Sequence, residues 1–214
     1  MSEQDQQQSG AEKRQSERLR KQNIKRLIWL GLAFDILLID QITKWAVMEL
    51  RFRPLITGQD GFNLLNWYFD QPSILPYTVT PVTSFFNLVM AWNTGVSFSM
   101  FSGYGAYMPY ILICVALGIT AMFATMMWNE KRQLYGLSYA LIIGGALGNV
   151  LDRARFGAVI DFLDFHIHGY HWPAFNVADI AVVCGISMLI IVSLFFDIKA
   201  KGRYRKYRKN KRSL

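Results

Sequence analysis

Four apolar runs, at about 27–47, 107–128, 134–151 and 175–196, dominate this chain. At ~1.5 Å per helical residue each can cross ~30 Å of hydrocarbon, the third and shortest only if it stands nearly upright. Charged residues make up 18% of the 214, against about a quarter in soluble domains, and they cluster away from the runs. That excludes a disordered chain, a soluble coiled coil and a disulfide-stapled secreted module. The expected fold is an all-α polytopic membrane protein with four transmembrane helices. Cys114 and Cys184 both lie inside apolar runs, where thiols act as small hydrophobes and no disulfide is expected.

Charge fixes the expected orientation. Of 23 Lys and Arg, seven lie in residues 1–26, nine in residues 198–214, and Lys131 and Arg132 lie in the short second connection. Only Arg51, Arg53, Arg153 and Arg155 fall on the other side, with Lys44 inside the first run. Basic residues flanking apolar spans stay cytoplasmic, beside anionic lipid, so both termini are expected there. The net charge of +8 therefore reads as membrane anchoring, and no nucleic-acid partner is expected. Residues 1–26 read as a disordered basic cytoplasmic tail, 27–197 as the four-helix domain, and 198–214 as a second basic cytoplasmic tail.

The first outer segment, about 49–105, is too long for a simple connection. Pro54, Pro72, Pro76 and Pro81 mark its first part, 51–81, as irregular loop. From Ser84 to Trp92 the pattern alternates, with Phe86, Leu88, Met90 and Trp92 on one face, and 96–101 resumes the period of two after Asn93-Thr94-Gly95. This predicts a small extracytoplasmic antiparallel β-sheet with a tight turn at Asn93–Gly95.

Ionisable residues within spans cost about 2.5–3.5 kcal/mol each near the bilayer centre, so function is the default reading where they occur. Asp40 and Lys44 are four apart and can pair on one helix face, fixing the first span against its neighbours. Asp35 lies deeper, with no partner assignable. Asn149, Asp152 and Arg153 form an i, i+3, i+4 set after Gly144, Gly145 and Gly148, which permit close helix approach. Asp161 follows the third span. Asn176 and Asp179 open the fourth, three apart and so projecting from one side of that helix. Asp161 and Asp179 thus flank a hairpin that leaves and re-enters one membrane face. If their carboxyls meet, one keeps a proton and the other can act as base toward a water, the chemistry of aspartic proteolysis. His166, His168 and His171 are too loosely spaced for a metal site, and neither metal nor cofactor is expected. A proton-coupled carrier is the rival reading, but a carrier wants acids near the midplane, where only Asp35 lies.

These motifs occur in order: Asp40-Gln-Ile-Thr-Lys44; Asn93-Thr-Gly-Val-Ser-Phe98; Gly144-Gly-Ala-Leu-Gly-Asn149 with Asp152-Arg153; then Val159-Ile-Asp161-Phe and Phe175-Asn-Val-Ala-Asp179. In that order, on four spans, the sequence resembles lipoprotein signal peptidase (signal peptidase II), over about 27–196. The resemblance implies an aspartic endopeptidase of the bacterial inner membrane, multi-pass, with its active site near the periplasmic face. It implies Asp161 and Asp179 as catalytic residues. Asn93, Asn149, Arg153 and Asn176 become substrate-binding candidates, and Asp40, Lys44 and Asp152 hold the site's shape. The implied substrates are diacylglyceryl-prolipoproteins, cut before the lipidated Cys. Membrane lipid is the other expected partner, and the chain is expected to act as a monomer. Residues 51–83 are longer than usual for this family and Pro-rich, and the basic C-terminal tail is extra.

Overall fold

The structure is a computed structural model that describes residues 3–70, 72–95 and 107–212, with side chains over 12–70, 72–95 and 107–195. Its long helices are α1 (Glu3–Trp45), α4 (Met108–Asn129), α5 (Gln133–Phe156) and α6 (Val177–Arg212). A π-helix (Ala46–Phe52), α2 (Arg53–Thr57), α3 (Leu64–Phe69), β1 (Thr78–Pro81) and β2 (Phe86–Asn93) lie between α1 and α4. Strands β3 (Val159–Ile167) and β4 (Tyr170–His171) separate α5 from α6.

Among the described residues, three helical segments are long and apolar enough to cross a membrane: Met108–Asn129, Gln133–Phe156 and Val177–Phe195. The fourth expected span, in α1, is not among them, because Asp35, Asp40 and Lys44 fall inside its apolar stretch. The third span is 24 residues rather than the short upright helix expected, since the polar turn through Asp152 and Arg153 stays helical to Gly157, a left-handed cap at φ 72°. Residues 3–26, expected to be disordered, continue α1. Their Gln, Glu, Lys and Arg are good helix formers and extend a helix already nucleated by the apolar stretch.

α5 is the hub of the bundle. More than half of its apolar window is buried, against 11% for α4 and 22% for α6. Its glycines explain the close approach: a Cβ on Gly144 would strike Ala33 and Ile36 of α1, and one on Gly145 would strike the Ala178 carbonyl of α6. One core, around Ala33, Tyr139, Ile143 and Val192, fills the bundle. Lys25 and Arg26 reach the carbonyls of Lys131 and Trp128 at one end. Every site residue named above, and the sheet, lies at the other end.

The sheet has the order β1-β2-β3-β4, all antiparallel. The strand paired with Phe86–Asn93 therefore includes Val159–Ile167, the segment expected only to carry acids, while 96–101 lies outside the described residues. Residues 51–81 are irregular loop only in part, since α2, α3 and β1 lie within them. Arg53 is buried in a bidentate pair with Glu49, whose carboxylate also accepts the Phe62 N–H at 3.0 Å. Asn63 caps α3 by accepting the Asn66 N–H at 2.8 Å. A second core of Met48, Phe52, Trp67, Leu75, Met90, Ile160 and Phe162 joins this segment to β2 and β3.

Candidate active site

A β-bulge decides which side chains face the bundle. Leu88 pairs with Leu163 and Ala91 with Asp161, so Val89 and Met90 together oppose Phe162. Side chains alternate along a strand, and one extra residue reverses the faces beyond it. Asn87 therefore meets Asp164 on one face, at 2.8 Å, while Asn93 meets Asp161 on the other, at 3.0 Å. Asn93 is itself oriented by an Asx turn, its Oδ1 accepting the N–H of Gly95 (φ 76°) at 2.8 Å. Its amide nitrogen is thereby left for the carboxylate.

The start of α6 supplies the opposing acid. Asn176 lies just before the helix rather than on its face, and its Oδ1 accepts the Asp179 N–H at 3.0 Å. Asp179 Oδ2 accepts the Asn176 N–H at 3.1 Å, a reciprocal capping box with both end donors satisfied. The Asn176 amide nitrogen donates to Asp161 Oδ1 at 2.7 Å. One asparagine thus touches both carboxylates.

Behind them lies a buried polar chain. Lys44 is fully enclosed and donates to Asp40 and Asp152, each at 2.7 Å, and to Asn149 Oδ1 at 3.3 Å, so all three ammonium protons have acceptors. Asn149, its oxygen turned to the cation, donates from Nδ2 to Asp179 Oδ1 at 2.8 Å. Asp40 accepts the Ala178 N–H at 2.9 Å and Asp152 the Ile160 N–H at 3.1 Å. The two carboxylates that clamp Lys44 therefore also pin the backbone beside each candidate catalytic acid. Gln41 was not singled out from the sequence, although a buried amide between Asp40 and Lys44 was a signal. It bridges Asp152 at 2.8 Å and Asp40 at 3.2 Å.

Arg153 shares this end of α5. Its guanidinium feels the charges of Asp161, Asp179 and Asp152, and its buried Nε has no hydrogen-bond partner among the described residues. Asp164, on the opposite face, bonds Asn87 and His171, whose ring stacks on His166 at 4.8 Å. Burial pulls Asp164 upward, but those two hydrogen bonds outweigh it and leave its pKa below the usual value. Asp35 is exposed, and its side chain makes no hydrogen bond among the described residues.

Asp161 is 2% exposed, whereas Asp179 is half-buried. Burial, then the Asp179 charge, push the Asp161 pKa up to about 6 against the opposing hydrogen bonds from Asn93 and Asn176. A carboxyl that keeps its proton to that pH beside another acid can donate while its neighbour accepts. A cleft of about 440 Å³, lined by Trp172, Phe175, Ile180, Val183 and Cys184, opens beside Asp179 and is almost wholly apolar.

Residues 32–195 match the family model for signal peptidase (SPase) II. The chain belongs to the signal peptidase II family. Among similar proteins is the lipoprotein signal peptidase of Ralstonia nicotianae, 39% identical over 170 residues, 78% of this chain and 83% of that one. The lipoprotein signal peptidase of Burkholderia mallei is 37% identical over 163 residues, 76% of this chain and 84% of that protein. Two solved bacterial membrane enzymes share the fold at 23% identity. Their TM-scores are 0.57 and 0.58, over 81% and 78% of this chain and 91% and 92% of theirs. The ordered motifs of the sequence are thus those of a signal peptidase II, and its family is one of peptidases.

Proposed function

We propose that the chain is an intramembrane aspartic endopeptidase that removes the signal peptide from diacylglyceryl-modified prolipoproteins, cleaving before the lipidated Cys. The observation that carries the reading is Asn176, a single side chain bonded to Asp161 and, through its cap, to Asp179. One carboxylate of the pair takes a proton from a water held between them. The other, protonated, donates to the scissile carbonyl oxygen, and the tetrahedral intermediate collapses as the departing amine takes a proton from the dyad. The apparent pKa values belong to the pair. With Asp161 protonated to about pH 6, kcat/KM should fall as pH rises past that value, because Asp161 then has no proton to donate to the scissile carbonyl.

Arg153 and Asn93 orient the substrate backbone; the Arg153 Nε, without a partner among the described residues, and the exposed position of Asn93 support this. Asn149 and Asn176 hold the acids in register, while Asp40, Lys44 and Asp152 keep the helices from which they project in place. The apolar cleft beside Asp179 suits a lipid-anchored substrate, whose anchor brings the scissile bond to the site's depth and supplies much of the rate by positioning. The site lies near the periplasmic face of the inner membrane, with four spans and both termini cytoplasmic. The acids lie at one end of the bundle rather than midway, which favours the peptidase over the proton-coupled carrier.

The test is cleavage by purified, vesicle-reconstituted protein of lipidated and unlipidated precursor. Only the lipidated form should be cut, and Asp161→Asn or Asp179→Asn should each abolish cleavage while leaving insertion intact. Substantial turnover by either variant refutes the assignment.

A further inference from the structure

The segment between α1 and β1 carries an exposed apolar face that the catalytic reading does not use. At roughly 100° per residue, Trp67 points to one side of α3, and Leu65 and Phe69 centre on the opposite side. Trp67 is fully buried, whereas Leu65 is 69% and Phe69 79% exposed. Leu64 and Tyr68 flank that outward face, half in and half out.

The depth of this face is fixed by Arg155. That residue belongs to the last turn of α5, where an apolar helix long enough to cross a membrane ends. Its guanidinium donates to the Trp67 carbonyl and stacks over the Trp67 ring at 4.1 Å and the Tyr68 ring at 4.6 Å. Trp67 also packs on Phe156, ring centroids 6.1 Å apart, and shares a core with Ile160, the residue before Asp161. An outward Leu–Phe pair is thus clamped level with the end of a span and continuous through one core with the strand that holds an acid. The flanking Asp60 and Asp70 are exposed carboxylates, so attraction to anionic headgroups does not account for it.

We propose that α3 is an interfacial anchor: its Leu65–Phe69 face lies in the boundary layer of the bilayer at the C-terminal end of α5 and holds the Asp161 strand at a set depth. The lipid contact stands by itself, and only the depth-setting role rests on the peptidase reading. An aromatic residue at the acyl–headgroup boundary removes its ring from water, and a short rigid helix converts that contact into a fixed height.

The experiment places spin labels at Leu65→Cys, Phe69→Cys and, for reference, Asp60→Cys. The background is Cys114→Ala/Cys184→Ala, reconstituted into phosphatidylethanolamine–phosphatidylglycerol vesicles. Labels at 65 and 69 should be accessible to oxygen and shielded from a water-soluble nickel chelate, with the reverse at 60. Nickel accessibility at 65 and 69 equal to that at 60 overturns the proposal. Shielding from both reagents with dipolar broadening overturns it equally, by showing a second copy of the chain on this face. For the depth role, Phe69→Glu should slow cleavage of lipidated precursor about fivefold or more in vesicles, leave cleavage in detergent micelles unchanged, and be rescued by Phe69→Trp. An equal loss in both media overturns that role. Absence of cleavage by the unsubstituted protein sinks the peptidase reading and leaves the label pattern to judge the anchor.

Discussion

Asp161 is set apart by what surrounds it: almost no solvent, a second carboxylate nearby, and two amide donors that soften but do not cancel the penalty on its charge. Its folded pKa lies above its unfolded value. The native state therefore binds this proton more tightly, and the stability it contributes is complete below about pH 4 and lost as pH rises to about 6. The shift, from 3.8 to about 6, corresponds to roughly 3 kcal/mol. Asp161→Asn removes the titration. Thermal unfolding in detergent should show its Tm gaining on that of the unsubstituted protein between pH 4 and pH 7; parallel profiles would mean the acid ionises as freely folded as unfolded. Lys44 is the opposite case, a cation whose removal strands two buried carboxylates. Lys44→Met should cost about 3–5 kcal/mol and most of the folded yield, since breaking one side of a buried ion pair leaves uncompensated charge.

Among elements, α5 shows how far the sequence could be read. Its glycines, with Asn149, Asp152 and Arg153, announced a closely packed helix bearing polar groups, and the structure shows α1 and α6 against that stripe. A Cβ on Gly148 would strike the Asp40 carboxylate and press on Ala178. Gly148→Val should therefore lower both Tm and turnover, and Gly118→Val, at a position with open space around it, neither. Circular dichroism melts alongside cleavage rates would decide. Less legible was the sheet. Alternation marked Phe86–Asn93 as a strand, but its partner β3 comes some seventy residues later, and pairing over that separation leaves no local mark. The segment 51–81 misled for a related reason. Its prolines suggested loop, while the buried Glu49–Arg53 pair and the Asn63 cap, which order it, depend on tertiary contacts.

At the level of the whole molecule, the bundle segregates its chemistry. One end gathers Lys25, Arg26 and the α4–α5 turn, and the other gathers the acids and the sheet. Together with the basic residues crowded at both termini, this division argues for tails on a common side. Ser2→Cys and Ser213→Cys, in the cysteine-free background, should both react with an impermeant maleimide only after the cytoplasmic face is opened. Labelling of one terminus from outside would require an odd number of crossings and would remove α1 from the bilayer. The sequence displayed this asymmetry openly, because charge distribution survives without knowledge of packing. How α1, with three ionisable groups in its apolar stretch, is accommodated became visible only once Asp40 and Lys44 were seen against Asp152 and Asn149.

The doubled residue in β2 carries a consequence for how this segment can vary. Asn87 and Asn93 serve acids on opposite sides of the sheet only because Val89 and Met90 share one opposing position. Between those two asparagines, length obeys a parity rule: losing or gaining a single amino acid turns one of them away from its carboxylate, while a change of two restores both. Natural variation in this stretch should come in pairs.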